Sequence, residues 1–351
     1  MNALVVGGAM HDVYIVPEKA SVQRLLFQDS EFNYSLMVPD EKGSIRDILS
    51  HVGGGAINVS TALKKFGLNV SSFCKIGKDW PGKGIVRFLK NQGIDVSAIK
   101  NSDQFPTGVS YIIMSPGSGH MIFSAKLANC DLAENEIPLK KINSADFIYI
   151  AALEQNSAKI IEPIIHAAKK KKVKIAINPG GGQLTKTANL LEKLMHNFDI
   201  FILNFIEAKM MAESLKSFSN CFAGGQFIIK SFLENLIKMG VGRVVMTNGS
   251  QGLYVANKNF GLFHPGLKVN VQDSVGAGDA FGSIFSAGIF QGLSDEESIE
   301  LAIISSTSVI QHIGATSGLL DLSELKDGRH SIPKGLFKKF ELNSKKIIDF
   351  N

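Results

Sequence analysis

The chain has 351 residues, 45% of them hydrophobic and 20% charged, which suits one large α/β domain or two smaller ones. Its formal net charge is +5, and residues 326–351 alone contribute seven Lys and Arg against three Asp and Glu, so the remainder is nearly neutral and argues against a nucleic-acid partner. No stretch approaches about 18 uninterrupted apolar residues, so we expect no membrane partner, and three widely separated cysteines predict reduced thiols and a cytoplasmic location.

The chain opens on an apolar strand-like run without the basic leader of a signal peptide, and short β-rich runs then alternate with helical patterns. The predicted strands are Ala3–Val6, Val70–Lys75, Phe147–Ala151, Val173–Asn178, Ile200–Asn204 and Arg243–Thr247. The predicted helices cover residues 56–66, 82–92, 156–170, 187–196, 206–215 and 229–239. This alternation predicts an α/β fold with a mostly parallel central sheet and helices on both faces.

Two segments break the alternation, residues of about 12–52 and about 105–126. Both carry β-type runs with polar interruptions, such as Val109–Met114. We interpret them as strands of a small β-sheet that is inserted into the main domain as a lid. The alternative is that they are edge strands of the main sheet. Residues 1–320 would then form one domain, with residues 321–351 as a docked C-terminal tail.

The most informative segment is Asp273-Ser274-Val275-Gly276-Ala277-Gly278-Asp279. Small and apolar residues recur at helical spacing after it, so this turn opens a buried helix. Gly276, Ala277 and Gly278 would leave three backbone N–H groups unshielded at the N-terminus of that helix, which suits an anion. Charge that develops on a phosphoryl group during transfer would be stabilised there by donors already in place.

Asp279 lies in the first turn of the same helix. A carboxylate there is close enough to take a proton from a hydroxyl that attacks a bound phosphate, which is the role of a catalytic base. The alternative is an acidic residue that only caps the helix. The Gly-Ala-Gly turn directly before Asp279, and a second carboxylate at Asp273, favour the catalytic interpretation.

Residues Asp273–Asp279 resemble the C-terminal signature of the ribokinase-like (PfkB-type) carbohydrate kinases, which include ribokinase, fructokinase and adenosine kinase; Ser274 stands where Thr is usual. The family's second signature, a glycine-rich stretch entering a helix, is similar to Gly53–Ser60. The resemblance covers residues 3 to 318. It implies the ribokinase-like fold with a small β-sheet lid, and phosphorylation of an alcohol group of a sugar by ATP with Mg²⁺. Because relatives frequently dimerise through their lids, it also implies a homodimer.

The resemblance assigns the acceptor site residue by residue. Asp12 is similar to an Asp near the end of the family's first strand that binds substrate hydroxyls, and Gly53, Gly54 and Asn58 would line the same pocket. The residue types suit a sugar, because Asp accepts from paired hydroxyls, Asn both donates and accepts, and glycine lets a sugar approach the backbone. A turn residue at Asp12 and a helix-start residue at Asn58 are the alternatives. Glu154 resembles a substrate-side carboxylate of ribokinase.

Two ion sites are implied in the same way. Asn204 and Glu207 resemble an Asn-x-x-Glu element in which Glu207 acts on Mg²⁺ through its waters near the ATP phosphates. The same pair would also form a helix cap without any metal. Relatives often bind K⁺ beside the anion-binding turn, and Asp273 with the loop around Gly314–Gly318 would supply that site here.

The nucleotide side is implied by Thr247, Gly249 and Gly252, which lie in a segment similar to the family's strand-to-turn region, and by Ser274 of the signature. Asn248 departs from the usual Leu, which affects the adenine side. Ala176 also departs, since relatives often carry Asp at that place; we interpret this as a variation in substrate or phosphate detail.

Three alternatives remain open. A nucleoside such as adenosine is the runner-up acceptor. A non-catalytic binding protein of the same fold would be expected to lack the base, whereas Asp279 is present. A dinucleotide-dependent oxidoreductase would need a G-x-G-x-x-G fingerprint, and Val5–Ala9 provides only a strand followed by glycine.

Overall fold

A computed structural model of the chain describes residues 1–18, 21–27, 30–36, 43–115 and 119–342. The strands are β1 Asn2–Val6, β2 Met10–Pro17, β3 Ser21–Phe27, β4 Ser30–Leu36, β5 Ile45–Gly53, β6 Asn69–Phe73, β7 Lys75–Gly77, β8 Lys100–Ser102, β9 Gly108–Ser115, β10 Gly119–Ala125, β11 Phe147–Ile150, β12 Lys174–Ile177, β13 Ile200–Asn204, β14 Phe222–Ala223, β15 Gln226–Phe227, β16 Arg243–Thr247, β17 Leu253–Asn257, β18 Gly261–His264 and β19 Lys338–Phe340. The α-helices are α1 Gly55–Lys65, α2 Trp80–Asn91, α3 Leu139–Ser144, α4 Ile161–Lys170, α5 Gly181–Thr185, α6 Ala188–Leu194, α7 Phe205–Ser214, α8 Ile229–Lys238, α9 Ala277–Phe290, α10 Asp295–Val309 and α11 Leu322–Arg329.

The central sheet has nine strands in the order β19-β18-β17-β16-β13-β12-β11-β1-β6. The six strands from β16 to β6 run parallel, whereas β17, β18 and β19 are antiparallel additions at one edge. This confirms the predicted α/β fold with a mostly parallel sheet.

Alternate residues of the central strands pack into two separate hydrophobic cores, one on each face of the sheet. Leu4 and Val6 of β1 pack in a core with residues of α4 and α8, whereas Ala3 and Val5 pack in a core with residues of α1, α9 and α10. This follows from the two-residue period of a strand, which sends successive side chains to opposite faces. Each fully buried aliphatic side chain contributes about 1.5–3 kcal/mol, so both helical layers are held by apolar burial.

The predicted accessory sheet is present and separate from the central one. It contains four strands in the order β10-β9-β2-β5. Along β2, Asp12 and Tyr14 are buried on one face, while Val13 and Ile15 on the other face are only half-buried. β3 and β4 form a hairpin of their own. Parts of the predicted lid segments, residues 19–20, 28–29, 37–42 and 116–118, lie outside the described residues.

Two helix boundaries differ from the predictions for local reasons. α2 begins at Trp80, two residues early, because the Asp79 side chain caps it by accepting from the Gly82 amide at 2.9 Å. The predicted helix 156–170 is instead a 3-10 segment, Gln155–Ile160, followed by α4. Pro163 explains this break, since proline lacks an amide donor and is tolerated only in the first turn of a helix.

Residues 321–342 of the C-terminal tail contribute α11 and the edge strand β19. The Phe340 ring covers Gly261 of β18 so closely that a Cβ there would lie 2.1 Å from it. The rest of the tail, residues 343–351, lies outside the described residues. Among the described residues, no helix is both long and apolar enough to cross a membrane.

Candidate active site

The turn before α9 has the geometry of an anion site. Gly276 adopts a left-handed φ of 83°, and a Cβ at this position would lie 2.4 Å from the Cβ of Ala315, so only glycine fits. In the described structure no side chain caps α9. The Ala277 amide makes only a long contact of 3.4 Å to the Ser274 carbonyl oxygen. The first-turn amides of α9 are therefore available to a ligand.

A cavity of about 210 Å³ lies in front of this turn, at the carboxyl ends of the central strands. Six of the predicted site residues line it together: Asn204, Glu207, Thr247, Gly276, Gly278 and Asp279. Asn178, at the end of β12, also lines it and donates to the Ile202 carbonyl oxygen at 3.0 Å. Strands of a parallel sheet end at one edge, so residues far apart in sequence meet there.

Asn204 and Glu207 form a complete cap on α7. The Glu207 amide donates to Asn204 Oδ1 at 2.8 Å, and the Asn204 amide donates to Glu207 Oε2 at 2.8 Å. Burial raises the pKa of Glu207, and the neighbouring charge of Asp279 raises it further. The cap that the sequence left as an alternative is thus present, while Glu207 also lines the cavity.

Asp279 is half-buried and accepts a hydrogen bond from Asn58 Nδ2 at 2.8 Å. Burial raises the pKa of Asp279, and the bond from Asn58 opposes part of that rise. A raised pKa makes the carboxylate a stronger base. Asn58 is itself buried, and its Oδ1 finds no hydrogen-bond partner among the described residues. A buried amide oxygen without a donor points to a ligand hydroxyl.

Asp12 lies against the glycine turn that starts α1. A Cβ on Gly53 would lie 1.9 Å from Asp12 Oδ2, so the carboxylate occupies the space of a missing side chain. Burial raises the pKa of Asp12 to about 6, although the Ser110 hydroxyl and the charge of Lys126 oppose the shift. Gly54, with a φ of 88°, packs on the Gly8 carbonyl at the end of β1. The turn therefore places Asp12 and Asn58 at the same end of the sheet.

Glu154 is less well connected to this group. It follows β11, and a Cβ on Gly182 would lie 3.3 Å from its Oε2. Its charge raises the pKa of Cys130, after the larger effect of burial. Among the described residues it forms no hydrogen bond with Asp12, Asn58 or Asp279, so its role in the acceptor site stays a prediction.

A second cavity, of about 440 Å³, adjoins the first and shares Thr247 and Gly278 with it. The predicted residues Gly249, Gly252, Ser274 and Ala277 line it as well. Its walls are largely apolar and include Phe281 of α9, Ile303 of α10 and Ile310 directly after α10, none of which was predicted. The apolar residues at helical spacing after Gly278 could have indicated that Phe281 lines this cavity. No sequence motif in α10 could have indicated the same for Ile303.

The cavity residues fit a Mg²⁺ ion bound mainly through its waters better than one held by several direct protein ligands. The described residues contain no group of three or more His, Cys, Asp or Glu that could hold a metal ion. Mg²⁺ keeps much of its water and is commonly bound through one or two carboxylates and substrate phosphates. Glu207 at the cavity wall is placed for such contact through water.

Asp273, the expected K⁺ ligand, is 1% exposed. Protein donors already occupy its carboxylate: Tyr14 and the Gly314 amide at Oδ2, and the Val275 amide at Oδ1. This side chain therefore does not fit the role of an open cation ligand.

Comparison with known proteins decides the family. Residues 22–322 match the pattern of the pfkB family carbohydrate kinases. The chain belongs to this family. Among curated relatives, the 2-dehydro-3-deoxygluconokinase of Thermoproteus tenax is 23% identical over 304 residues, 84% of this chain and 90% of the relative. The ribokinase of Haemophilus influenzae is 26% identical over 269 residues, 76% of this chain and 83% of the relative.

The fold agrees with that of a solved ribokinase structure. Arabidopsis thaliana ribokinase, in complex with ribose and ATP, superposes with a TM-score of 0.74 at 20% identity, covering 93% of this chain and 98% of that one. This pfkB-family chain is thus an ATP-dependent kinase with an alcohol group as acceptor, and the prediction of a ribokinase-like kinase is confirmed.

Proposed function

We propose that this kinase phosphorylates a hydroxyl group of a sugar, with Asp279 as catalytic base. The observation that carries the proposal is the 2.8 Å hydrogen bond between Asn58 and Asp279. It joins the acceptor side, where Asn58 has a buried oxygen without a donor, to the phosphate cavity that Asp279 lines. One carboxylate would thus border both substrates, as a general base must.

The transfer follows from this arrangement. The acceptor oxygen forms a bond to the γ-phosphorus of ATP as the bond from that phosphorus to the β–γ bridging oxygen breaks. Asp279 takes the proton of the attacking hydroxyl, which leaves a phosphate ester and ADP. The amides of Gly276, Ala277 and Gly278 would bind the phosphoryl oxygens and stabilise the charge that they gain.

ATP would occupy the two adjoining cavities. The adenine of ATP suits the apolar cavity of about 440 Å³, near Gly249, Gly252 and Ser274. The phosphates of ATP suit the cavity of about 210 Å³. Mg²⁺ would neutralise phosphate charge, with Glu207 reaching it through water. Asn204 would act by holding Glu207 in place through the α7 cap.

Asp12, Gly53, Gly54 and Asn58 would bind the sugar, with Glu154 at the edge of the pocket. Lys126 is close enough for its charge to oppose the pKa rise at Asp12. A cation beside the acceptor hydroxyl-binding residues favours a sugar that carries an acid group, and one relative is a 2-dehydro-3-deoxygluconokinase. We therefore place sugar acids alongside neutral sugars as acceptors to be tested.

An acceptor screen tests the proposal. We would measure ADP release and thermal unfolding with MgATP and, in turn, ribose, fructose, 2-dehydro-3-deoxygluconate, fructose 6-phosphate and adenosine. We expect turnover with a sugar or sugar acid, and a higher unfolding temperature with the same compound, because binding to the native state adds stability. Turnover with adenosine alone would contradict the sugar assignment and support a nucleoside acceptor. ATP binding without turnover on any compound would favour a non-catalytic protein.

We also propose a homodimer formed through the lid. The strand register places Ile48, Tyr111 and Phe123 on the outer face of the lid sheet, where they are 59%, 47% and 59% exposed. Contiguous exposed apolar side chains are typical of a protein interface. Ile48→Glu should therefore convert a dimer to a monomer in sedimentation analysis, and a wild-type monomer would contradict the proposal.

The proposed organisation is a kinase domain over residues 1–320 with residues 321–351 as a docked C-terminal tail. Docking of its described part rests on Leu325 of α11, which is buried in the core, and on β19, which pairs with β18 at the edge of the central sheet. The proposed location is the cytoplasm, where ATP is abundant. Free cysteines are consistent with it: Cys74, Cys130 and Cys221 form no disulfide.

A further inference from the structure

Asp273 stands at the junction of three parts of the molecule. Its Oδ1 accepts from the Val275 amide at 3.0 Å, which folds the turn that leads to the anion site. Its Oδ2 accepts from the Gly314 amide at 3.1 Å, which ties in the loop after α10. The Tyr14 hydroxyl on lid strand β2 donates to the same Oδ2 at 2.8 Å. A second lid strand, β10, brings His120 Nδ1 to 3.6 Å from Oδ1.

These contacts leave the carboxylate satisfied by the protein itself. A carboxylate offers about four lone-pair positions, and three hydrogen bonds plus the His120 ring surround it. Asp273 is 1% exposed and Tyr14 is fully buried, so water does not reach the pair. An unpaired charge this deep would be costly, and the donors from the two loops and the lid remove that cost.

The same contacts connect the acceptor site to the anion site. Asp12 and Tyr14 lie two residues apart on β2, so they share the face of the lid that covers the site. Asp12 is the proposed ligand of the sugar, and Tyr14 holds Asp273. Asp273 in turn fixes the turn in which Gly276 packs against Ala315 of the neighbouring loop.

We propose that Asp273 is a positioning residue that ties the anion site to the lid through Tyr14, and that this protein contact takes the place of a K⁺ ion. The proposal rests on the kinase function proposed above. It makes two claims: phosphoryl transfer does not depend on K⁺, and the Tyr14 hydroxyl contributes to kcat although it touches neither substrate.

Cation dependence is tested first, with a readout that does not need turnover. Thermal unfolding of the wild type with ADP and Mg²⁺ is compared in KCl and in tetramethylammonium chloride at equal ionic strength. We expect the same unfolding temperature in both salts, because a cation stabilises the native state only if it binds there. A K⁺-specific rise in the unfolding temperature would overturn the proposal whether or not an acceptor has been found.

The second test compares Tyr14→Phe with Tyr111→Phe, each in both salts. Both variants lose one hydroxyl from the lid, but Tyr111 lies on its outer face, 47% exposed. Since a hydrogen bond to a charged group is lost, Tyr14→Phe should lower kcat by about tenfold or more, with the KM for ATP unchanged within about twofold. K⁺ should restore part of that loss in kcat, because the variant frees one lone-pair position on Asp273 Oδ2 to which the cation can bind. Tyr111→Phe keeps the aromatic ring that the proposed dimer face uses and loses only an outer hydroxyl, so it should behave as the wild type.

The outcomes separate this proposal from the function that it rests on. A wild type that phosphorylates a sugar and requires K⁺ would refute the positioning proposal alone. So would a Tyr14→Phe variant with the kcat of Tyr111→Phe. A wild type without activity on any sugar would refute the proposed acceptor, while the unfolding comparison would still decide whether K⁺ binds.

Discussion

Two helices point their N-termini at the same cavity, and they differ in how those ends are satisfied. α7 is closed by its own side chains, because Asn204 and Glu207 cap each other's amides. α9 begins at Gly276 with no side-chain cap and leaves its first-turn amides to the cavity. Helix N-termini carry partial positive charge in either case. We propose that the missing cap is what makes α9, and not α7, the phosphate site, and variants at both helices can test this contrast.

The largest effect is expected at Asp279, in the first turn of the uncapped helix α9. Asp279→Asn keeps the shape and the hydrogen bond from Asn58 but removes the base, so kcat should fall by about 10³-fold. ADP with Mg²⁺ should still raise the unfolding temperature of the variant by as much as it does for the wild type. A variant with more than a tenth of the wild-type rate would exclude Asp279 as the base.

A smaller loss of kcat is expected from Gly276→Ala. The new methyl group would meet Ala315 and displace the turn, so kcat should fall by about a hundredfold, the lower end of the loss expected when an oxyanion donor is removed. Gly292→Ala is the matched control. Gly292 also has a left-handed φ, 88°, but a Cβ there meets nothing within 4 Å, at the other end of α9. Both variants share the backbone strain, and equal kcat values would mean that the turn has no special role.

Asp12 tests the proposed acceptor side of the site, beside the start of α1 and outside the comparison of α7 with α9. Its raised pKa, about 6 against an unfolded value of 3.8, means that folding is penalised whenever the group is ionised in the unfolded chain. The penalty is complete above about pH 6 and fades as the pH falls from 6 towards 3.8. Asp12→Asn should thus stabilise the fold by about 1–3 kcal/mol at pH 8 and by less at pH 4.5, while weakening sugar binding. Urea unfolding at both pH values measures this, and a gain independent of pH would contradict it.

The smallest effect is expected at Glu207, in the cap of helix α7. Glu207→Gln preserves a capping residue but removes the charge, so stability should hold while the Mg²⁺ concentration for half-maximal rate rises about tenfold. Glu324→Gln, at the same capping position of α11, is the control and should change neither quantity. If Glu207→Gln leaves the Mg²⁺ requirement unchanged, the residue is only a cap.

The sequence predicted most of this site because its two signatures are local. The Gly-Ala-Gly turn, the helix that follows it and the six central strands all arise from neighbouring residues. Each overlaps its predicted range, although the predicted strand Val70–Lys75 ends at Phe73, and Lys75 starts β7 in a separate sheet. The apolar nucleotide cavity was predicted only in part. Its Ile303 belongs to the largely buried helix α10 and its Ile310 follows that helix directly, and nothing in such an apolar pattern distinguishes a cavity wall from core.

Asp273 marks the limit of what the sequence alone determined. Its place at the head of the anion-binding turn could be read from the chain, because a turn is decided by the conformational preferences of consecutive residues. Its partners could not: Tyr14 lies 259 positions away and reaches Asp273 only because the lid folds over the end of the sheet. Which donor satisfies a buried charge depends on segments that meet in space, and contacts of that kind leave no periodic or local trace in the sequence.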